Sequence, residues 1–305
     1  MLRVAVLLSA VSATVFAACD ALPGDAADTL GGGRVGSAGL DELRAQRGLT
    51  DPLWLRWLHS IADLAGRDGG HSLLTGRPVY AVIGERLPAT LVSAGLALAG
   101  AALMCLIGCL LAGRRAVRRP HTGPSGVATA LAAVPQPVVA AGLTALFAGG
   151  LALLPPVSLL PPGGNPLTEP RILILPVLTI ALPTAAFGTA LLAGAVADAL
   201  STPHAVDARL RGVPAGRILR RHVAPALAVP ALRVLAVAVS ATTAGTALAE
   251  STFGYAGAGE LLVTAVATRD TPVVHALAVG SAIVVLGILL IADLIADPIA
   301  RREAR

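Results

Sequence analysis

Lysine is missing altogether from the 305 residues; all 23 basic residues are arginines. One class of chemistry goes with it. A phosphate-gripping loop of the form G-x-x-x-x-G-K-[ST] needs that lysine to reach the β- and γ-phosphates, so any ATP-driven work must be powered by another chain. Charged residues make up only 13%, about half the usual share. Aromatics are 3%, too few to build stacking platforms, so the net charge of +5 does not point to nucleic acid. The three cysteines, Cys19, Cys105 and Cys109, each lie in or at the end of an apolar run. No disulfide framework is implied. Cys105 and Cys109 share a helix face but have no histidine or acid beside them, so helix packing is expected of them rather than a metal. Neither H-E-x-x-H nor G-x-S-x-G occurs, and the six histidines are scattered. Catalysis, a resident metal and a cofactor are therefore not expected.

What the chain has instead is apolar length. Hydrophobic residues reach 55% and mean hydropathy is +0.77, far above a soluble domain. The runs predict an all-α membrane protein with six transmembrane helices: 1–20, 89–112, 127–154, 172–196, 227–248 and 276–296. The first run, 4–18, is short for a span, which needs about 20 residues. It reads either as a signal peptide ending at Cys19 or as a first helix with a clipped start; the residues after Cys19 favour the helix. Pro135 and Pro137 are expected to kink the third span, and Pro176 and Pro183 to interrupt the fourth, with neighbours satisfying the freed carbonyls. Gly95, Gly100, Gly142 and Gly149 are expected where helices approach closely.

Orientation comes from the arginines. Arg114, Arg115, Arg118 and Arg119 crowd one short loop; Arg209, Arg211, Arg217, Arg220 and Arg221 crowd another; Arg301, Arg302 and Arg305 end the chain. The positive-inside rule places these segments, and both termini, in the cytoplasm. Alternation then puts residues 21–88 outside as a long loop with short helices, its flexible tip at 31–33, and makes 297–305 a cytoplasmic tail. The later outside loops carry only Arg171 and Arg269.

The second basic loop, 201–225, reads STPHAVDARLRGVPAGRILRRHVAP. Its punctuation predicts two short helices joined at a glycine. Thr202 can cap the first and Pro203 suits its first turn. Gly212 can take the left-handed conformation that ends it, Pro214 can open the second, and Pro225 marks entry to the next apolar run. Val206 and Leu210, four apart, share one face.

This stretch resembles the coupling segment of ABC importer permeases, E-A-A-x-x-x-G, nine residues, then I-x-L-P. Gly212 and Pro225 fall in register, Val206, Asp207 and Ala208 take the E-A-A positions, and His222 stands at the I position. Ala224 replaces the leucine. Further similarities run along the chain in order: LPGD at 22–25, DELRAQRGLTDPLWLRW at 41–57, GHSLLTGRPV at 70–79, IGERLPATL at 83–91 and ESTFGYAGAGELL at 250–262. Arg269, Asp270 and Pro272 to Val274 resemble the family's r-D-y-P-v-v. Ala256 departs from the usual proline. The sum resembles the first permease subunit of dipeptide, oligopeptide or nickel importers, the type with a long first outside loop.

That resemblance implies the type I importer permease fold. It also implies a second homologous permease, two ABC ATPase subunits and an extracytoplasmic solute-binding protein as partners. The transport subunit would itself not be an enzyme. The coupling residues it implies are Val206, Asp207, Ala208, Leu210, Gly212, Ile218, His222 and Pro225, with apolar contacts from Val206, Leu210, Val213 and Ile218 holding the ATPase. Ser240, Thr243 and Thr246 of the fifth span, with Glu250 at its outer end, are the expected translocation path; the bland alternative is that the hydroxyls bond their own helix backbone. The expected cargo is a di- or oligopeptide, with nickel or another small solute as the alternative. An ATPase-independent secondary transporter fits less well, because the spans hold almost no ionisable groups and no inverted repeat is apparent.

Overall fold

A computed structural model describes residues 2–31, 37–46, 50–118, 126–159 and 166–303. Among these residues the only secondary structure besides helix is one isolated bridge, His71 to Pro78. Arg119, Arg305, residues 32–36 of the first loop and 160–165 of a later one lie outside the described residues, as do the side chains of the tail from 297 onward.

Fourteen α-helices run in order among the described residues. They are α1 (Leu2–Ala21), α2 (Ala26–Gly31), α3 (Ser37–Gln46), α4 (Leu53–Ala65), α5 (Val79–Arg118), α6 (Gly126–Ala132) and α7 (Gln136–Thr144). Then come α8 (Pro170–Ser201), α9 (Pro203–Leu210), α10 (Ala215–Ile218), α11 (Ala224–Ala226), α12 (Ala228–Phe253), α13 (Ala258–Ala267) and α14 (Thr271–Glu303). Five of these, α1, α5, α8, α12 and α14, are long and apolar enough to cross a membrane. The bent pair of α6 with Gln136–Gly150 passes the same test taken together, so the described residues hold five candidate spans, or the six expected if that pair is one span.

The prolines act differently from expectation in two places. The third span is not one kinked helix but two, bent by 96°. Pro135 has no N–H to continue α6, holds an extended backbone at ψ 138°, and restricts the residue before it. The helix after it closes through a π-turn, Ala145–Gly150. The fourth span, by contrast, runs unbroken from Pro170 to Ser201 through Pro176 and Pro183. Pro176 deprives the Ile172 carbonyl of its helical donor, and the Ser158 hydroxyl supplies one at 2.6 Å. The second span, α5, begins at Val79, ahead of the apolar run at 89, because its first turns carry Glu85 and Arg86 among the apolar residues and escape a hydropathy reading.

The chain forms two compact units. One comprises Met1–Leu91 with Ala256–Leu286. Its core joins Val79 to Ala265, Val273, Val274 and Leu277, with Val15, Leu64 and Ile83 packed against them. Asp270 ties the 70–78 turn to this core: its carboxylate accepts the Ser72 hydroxyl at 2.5 Å and the Leu73 N–H at 3.0 Å. Two segments that resemble the family separately, 70–79 and 269–274, thus meet at one buried acid.

The other unit comprises Val92–Tyr255 with Gly287–Arg305. Its central helix is α8, whose buried residues run from Ile172 to Leu200. Ala97, Ala101, Ile180, Ala181, Ala185 and Ala249 form one small-residue core where α5, α8 and α12 meet. Of the four glycines expected at close approaches, only Gly100 faces a neighbour, the Ala181 Cβ at 3.8 Å from where its own would sit. Close contacts belong to other glycines of this unit, Gly108 and Gly188 among them. A Cβ at Gly108 would lie 2.9 Å from Thr189 Cγ2, and one at Gly188 3.2 Å from Cys105 Sγ.

Candidate functional site

The elbow between α8 and α12 is built by local rules. Thr202 stands at the N-cap position of α9 with an extended backbone, φ −63° and ψ 146°. Its hydroxyl does not cap α9; it donates back to the Ala199 carbonyl at 2.8 Å, closing the end of α8. Pro203 at N1 gives up a donor that the first turn cannot use. At the other end, Gly212 takes φ +74°. Gly212 N–H donates to the Arg209 carbonyl at 3.0 Å and Val213 N–H to the Ala208 carbonyl at 3.1 Å. That pair of reversed bonds is the Schellman closure, which a glycine enters without Cβ strain.

The second half restarts at Pro214 and passes through a π-turn, Leu219–Val223, before α11. Pro225 cannot donate to the turn before it, and the widened ring is how the helix absorbs the lost bond. Pro225 therefore sits inside a continuing helical path rather than at a clean boundary.

Packing divides the elbow into two faces. Ala208, Ile218, Leu219 and Val223 are buried against Val196, Ala199 and Leu200 of α8 and Val117 of α5. Ile218 is 0% exposed. Gly113 makes room for this: a Cβ there would stand 2.8 Å from Leu219 Cδ2. The opposite face presents Leu210, 80% exposed, together with exposed Asp207, Arg211, Arg217, Arg220 and Arg221. Asp207 and Arg211 pair at 2.8 Å and 3.1 Å across one helical turn. In water such a pair contributes only about 0.3–0.5 kcal/mol.

A second cluster sits at the far end of α12. Glu250 is fully buried and accepts the Ser93 hydroxyl at 3.1 Å. Tyr255, also fully buried, comes just after Gly254, which ends α12 at φ +65°. Burial first, and the Glu250 carboxylate second, push the Tyr255 phenol above its usual range. Along the same helix the Ser240 hydroxyl donates to Ala236, Thr243 to Val239 and Thr246 to Thr243, at 2.8–2.9 Å. Gln136, at the start of α7, donates to the Gly245 carbonyl at 3.1 Å.

Residues 104–305 match the family described as binding-protein-dependent transport system inner membrane component. That is roughly two thirds of the chain. The chain belongs to this family. It is similar along most of its length to "Probable D,D-dipeptide transport system permease protein DdpB" of Escherichia coli (strain K12), at 29% identity over 95% of this chain and 91% of the relative. It is 27% identical to the glutathione transport system permease protein GsiC of Shigella flexneri, over 87% of this chain and 84% of that one. This protein is thus a multi-pass ABC importer permease.

Within the permease, the eight coupling positions do not share one surface. Asp207, Leu210, Gly212 and Pro225 are exposed, Val206 and His222 half-buried, and Ala208 and Ile218 point into the permease's own core. Ile218, expected to touch a partner, anchors the elbow instead. The four path positions lie along one side of α12, with Ser240 and Thr243 half-buried and Thr246 and Glu250 buried. Their three hydroxyls bond their own helix. Ser93, Gln136 and Gly113 escaped the sequence reading. Ser93 is 157 residues from Glu250, and no local pattern announces the pair. Gln136 alone had a signal: an amide beside two prolines inside an apolar run.

Proposed function

We propose that this permease carries short peptides through the membrane, driven by ATPase subunits that dock on the elbow spanning α9 to α11. Two relatives are named for peptide cargo, a D,D-dipeptide and glutathione. The absence of lysine leaves nucleotide chemistry to a partner chain. The observation that carries the reading is the two-faced elbow. Its inner face is fused to α8 by buried aliphatics, while its outer face offers one naked leucine ringed by charge. An apolar knob with a charged rim is what a docking surface needs: the apolar contact gives affinity and the charges set orientation. Because the inner face is packed on α8 and on Val117 of α5, a push on the elbow moves it together with those two helices.

The elbow, the Arg114–Arg115 end of α5 and both termini then lie in the cytoplasm, with residues 21–88 outside to meet a solute-binding protein. A second permease completes the path. Ser240 and Thr243, half-buried on α12, are the positions to line it in one conformation. Thr246 and Glu250 would join only if the bundle opens.

Gly212→Asp tests this. Aspartate tolerates the left-handed backbone better than most residues, and nothing lies within 4 Å of a Cβ at this position. The variant is expected to reach the membrane at normal abundance, to lose ATP-driven peptide uptake and to shed its ATPase subunits on purification. Normal uptake with ATPases retained would remove the elbow from the coupling role.

A further inference from the structure

The helix α4 carries an apolar flank that neither α1 nor α14 covers. Trp54 is 63% exposed, Leu58 46% and Ile61 37%, and Ala65 completes the stripe at helical spacing. His59 and Asp63, both exposed, lie on the opposite flank. Between the two runs the packed flank, where Trp57, Ser60 and Leu64 meet the rest of the unit.

The packed flank also fixes the depth of α4 beside the two spans it touches. Trp57 Nε1–H donates to Ser12 Oγ at 3.0 Å, in the middle of α1. Arg56 reaches the other way, to Asp20 at 2.7 Å near the end of α1, and its guanidinium passes over the Phe16 ring at 5.8 Å. The axis of α4 therefore crosses α1 near Phe16, roughly 7.5 Å inside its last residue at 1.5 Å per residue. A second ruler agrees. Ser60 Oγ lies 2.6 Å from His275 Nδ1, and His275 is about 6 Å into α14 from Thr271 on the same rise. Just beyond both levels sits a charged layer: Asp20, Asp25, Arg44, Arg56 and Arg269 line an open cavity of about 330 Å³. Charged groups need water, so a water boundary at this layer would leave the body of α4 below it, with Arg56 reaching up to it.

We propose that α4 is an interfacial helix, sunk in the lipid leaflet at the C-terminal end of α1. Trp54, Leu58 and Ile61 lie among acyl chains, and His59 and Asp63 face the headgroups. A depth of about 6–7.5 Å is where amphipathic helices settle, with the apolar face roughly 5–10 Å into the headgroup–acyl boundary. Trp54 is the residue type that anchors at that level. Ser12 Oγ also lies 2.7 Å from His275 Nε2, and the resulting Trp57–Ser12–His275–Ser60 chain gives the buried polar groups partners at a depth where water cannot, so the helix is held to the spans by bonds that lipid does not compete for.

The test uses the full transporter complex in phosphatidylethanolamine–phosphatidylglycerol vesicles. Single cysteines at 58, 61, 59 and 63, in a background with Cys19, Cys105 and Cys109 replaced, carry a nitroxide. Collision with oxygen and with a water-soluble nickel chelate is measured at each. The expected oxygen-to-nickel ratio is several-fold higher at 58 and 61 than at 59 and 63. Equal nickel access at all four positions overturns the proposal in favour of a helix in water. Positions 58 and 61 closed to both reagents overturn it in favour of a protein partner on that flank. Should the cysteine-free background fail to assemble, quenching of tryptophan fluorescence by brominated lipid is compared between the unaltered complex and Trp54→Phe. A quenched Trp54 component supports the proposal, and an unquenched one rejects it.

Discussion

Gly212 and Ser93 show what a single side chain can hold. At φ +74° a Cβ on residue 212 meets its own backbone, although the space around it is open. Gly212→Ala is therefore expected to lower the stability of the solubilised permease by about 1–2 kcal/mol. Gly212→Asn, whose side chain tolerates the left-handed region, should cost markedly less. Thermal unfolding in detergent reads both, and equal losses would mean that strain is not the cause. Ser93→Ala removes one donor to a fully buried carboxylate. The expected loss is about 1–3 kcal/mol, against almost no change in side-chain volume. An unshifted unfolding midpoint would show that the bond contributes nothing. The two residues differ in legibility. Gly212 announces itself by position, because a glycine one residue past a helix end has a local cause. Glu250 is visible as an acid at the end of an apolar run, but its burial depends on Ser93 from another helix.

Among elements, the contact between α5 and α8 depends on a glycine that the sequence did not single out. A Cβ at Gly108 would stand 2.9 Å from Thr189 Cγ2 and 3.0 Å from its Oγ1. Thr189 has little freedom to retreat, since it is β-branched and its hydroxyl is bonded to the Ala185 carbonyl at 2.7 Å. Gly108→Ala is expected to cost about 1–3 kcal/mol by overpacking. Thr189→Ala in the same chain should recover most of it, a coupling that a double-mutant cycle on thermal stability measures directly. Additive losses would place the clash elsewhere. Small residues are legible as packing positions, but glycine spacing along one helix cannot say which glycine meets a partner. The same holds for the bent third span. Pro135 and Pro137 mark the place of the break, but the 96° between the two halves is not legible from the prolines alone. Pro176 shows the converse, a breaker neutralised by one hydroxyl, Ser158, from outside the helix.

For the whole molecule, span number and side assignment rest on different physics and need separate tests. Hydropathy over a window sees the free energy of burying about 20 residues in lipid, so the six runs are legible without any tertiary information. The side comes from arginine placement alone, because helix packing is the same whichever end faces the cytoplasm. Cysteine labelling supplies the sign. In a background lacking the three native cysteines, single cysteines at Thr75 and Gly76 test the first loop, which is exposed in the 72–78 turn. Cysteines at Leu210 and Arg217 test the elbow, where both side chains are exposed. On intact cells a membrane-impermeant maleimide is expected to label 75 and 76 and to leave 210 and 217 untouched until the membrane is opened. The two sets must switch together, because α5, the bent pair and α8 make an odd number of crossings between them. Labelling of both sets on intact cells would remove one of those crossings, and the bent pair, whose halves are 7 and 9 residues before the π-turn, is the one that could re-enter rather than cross.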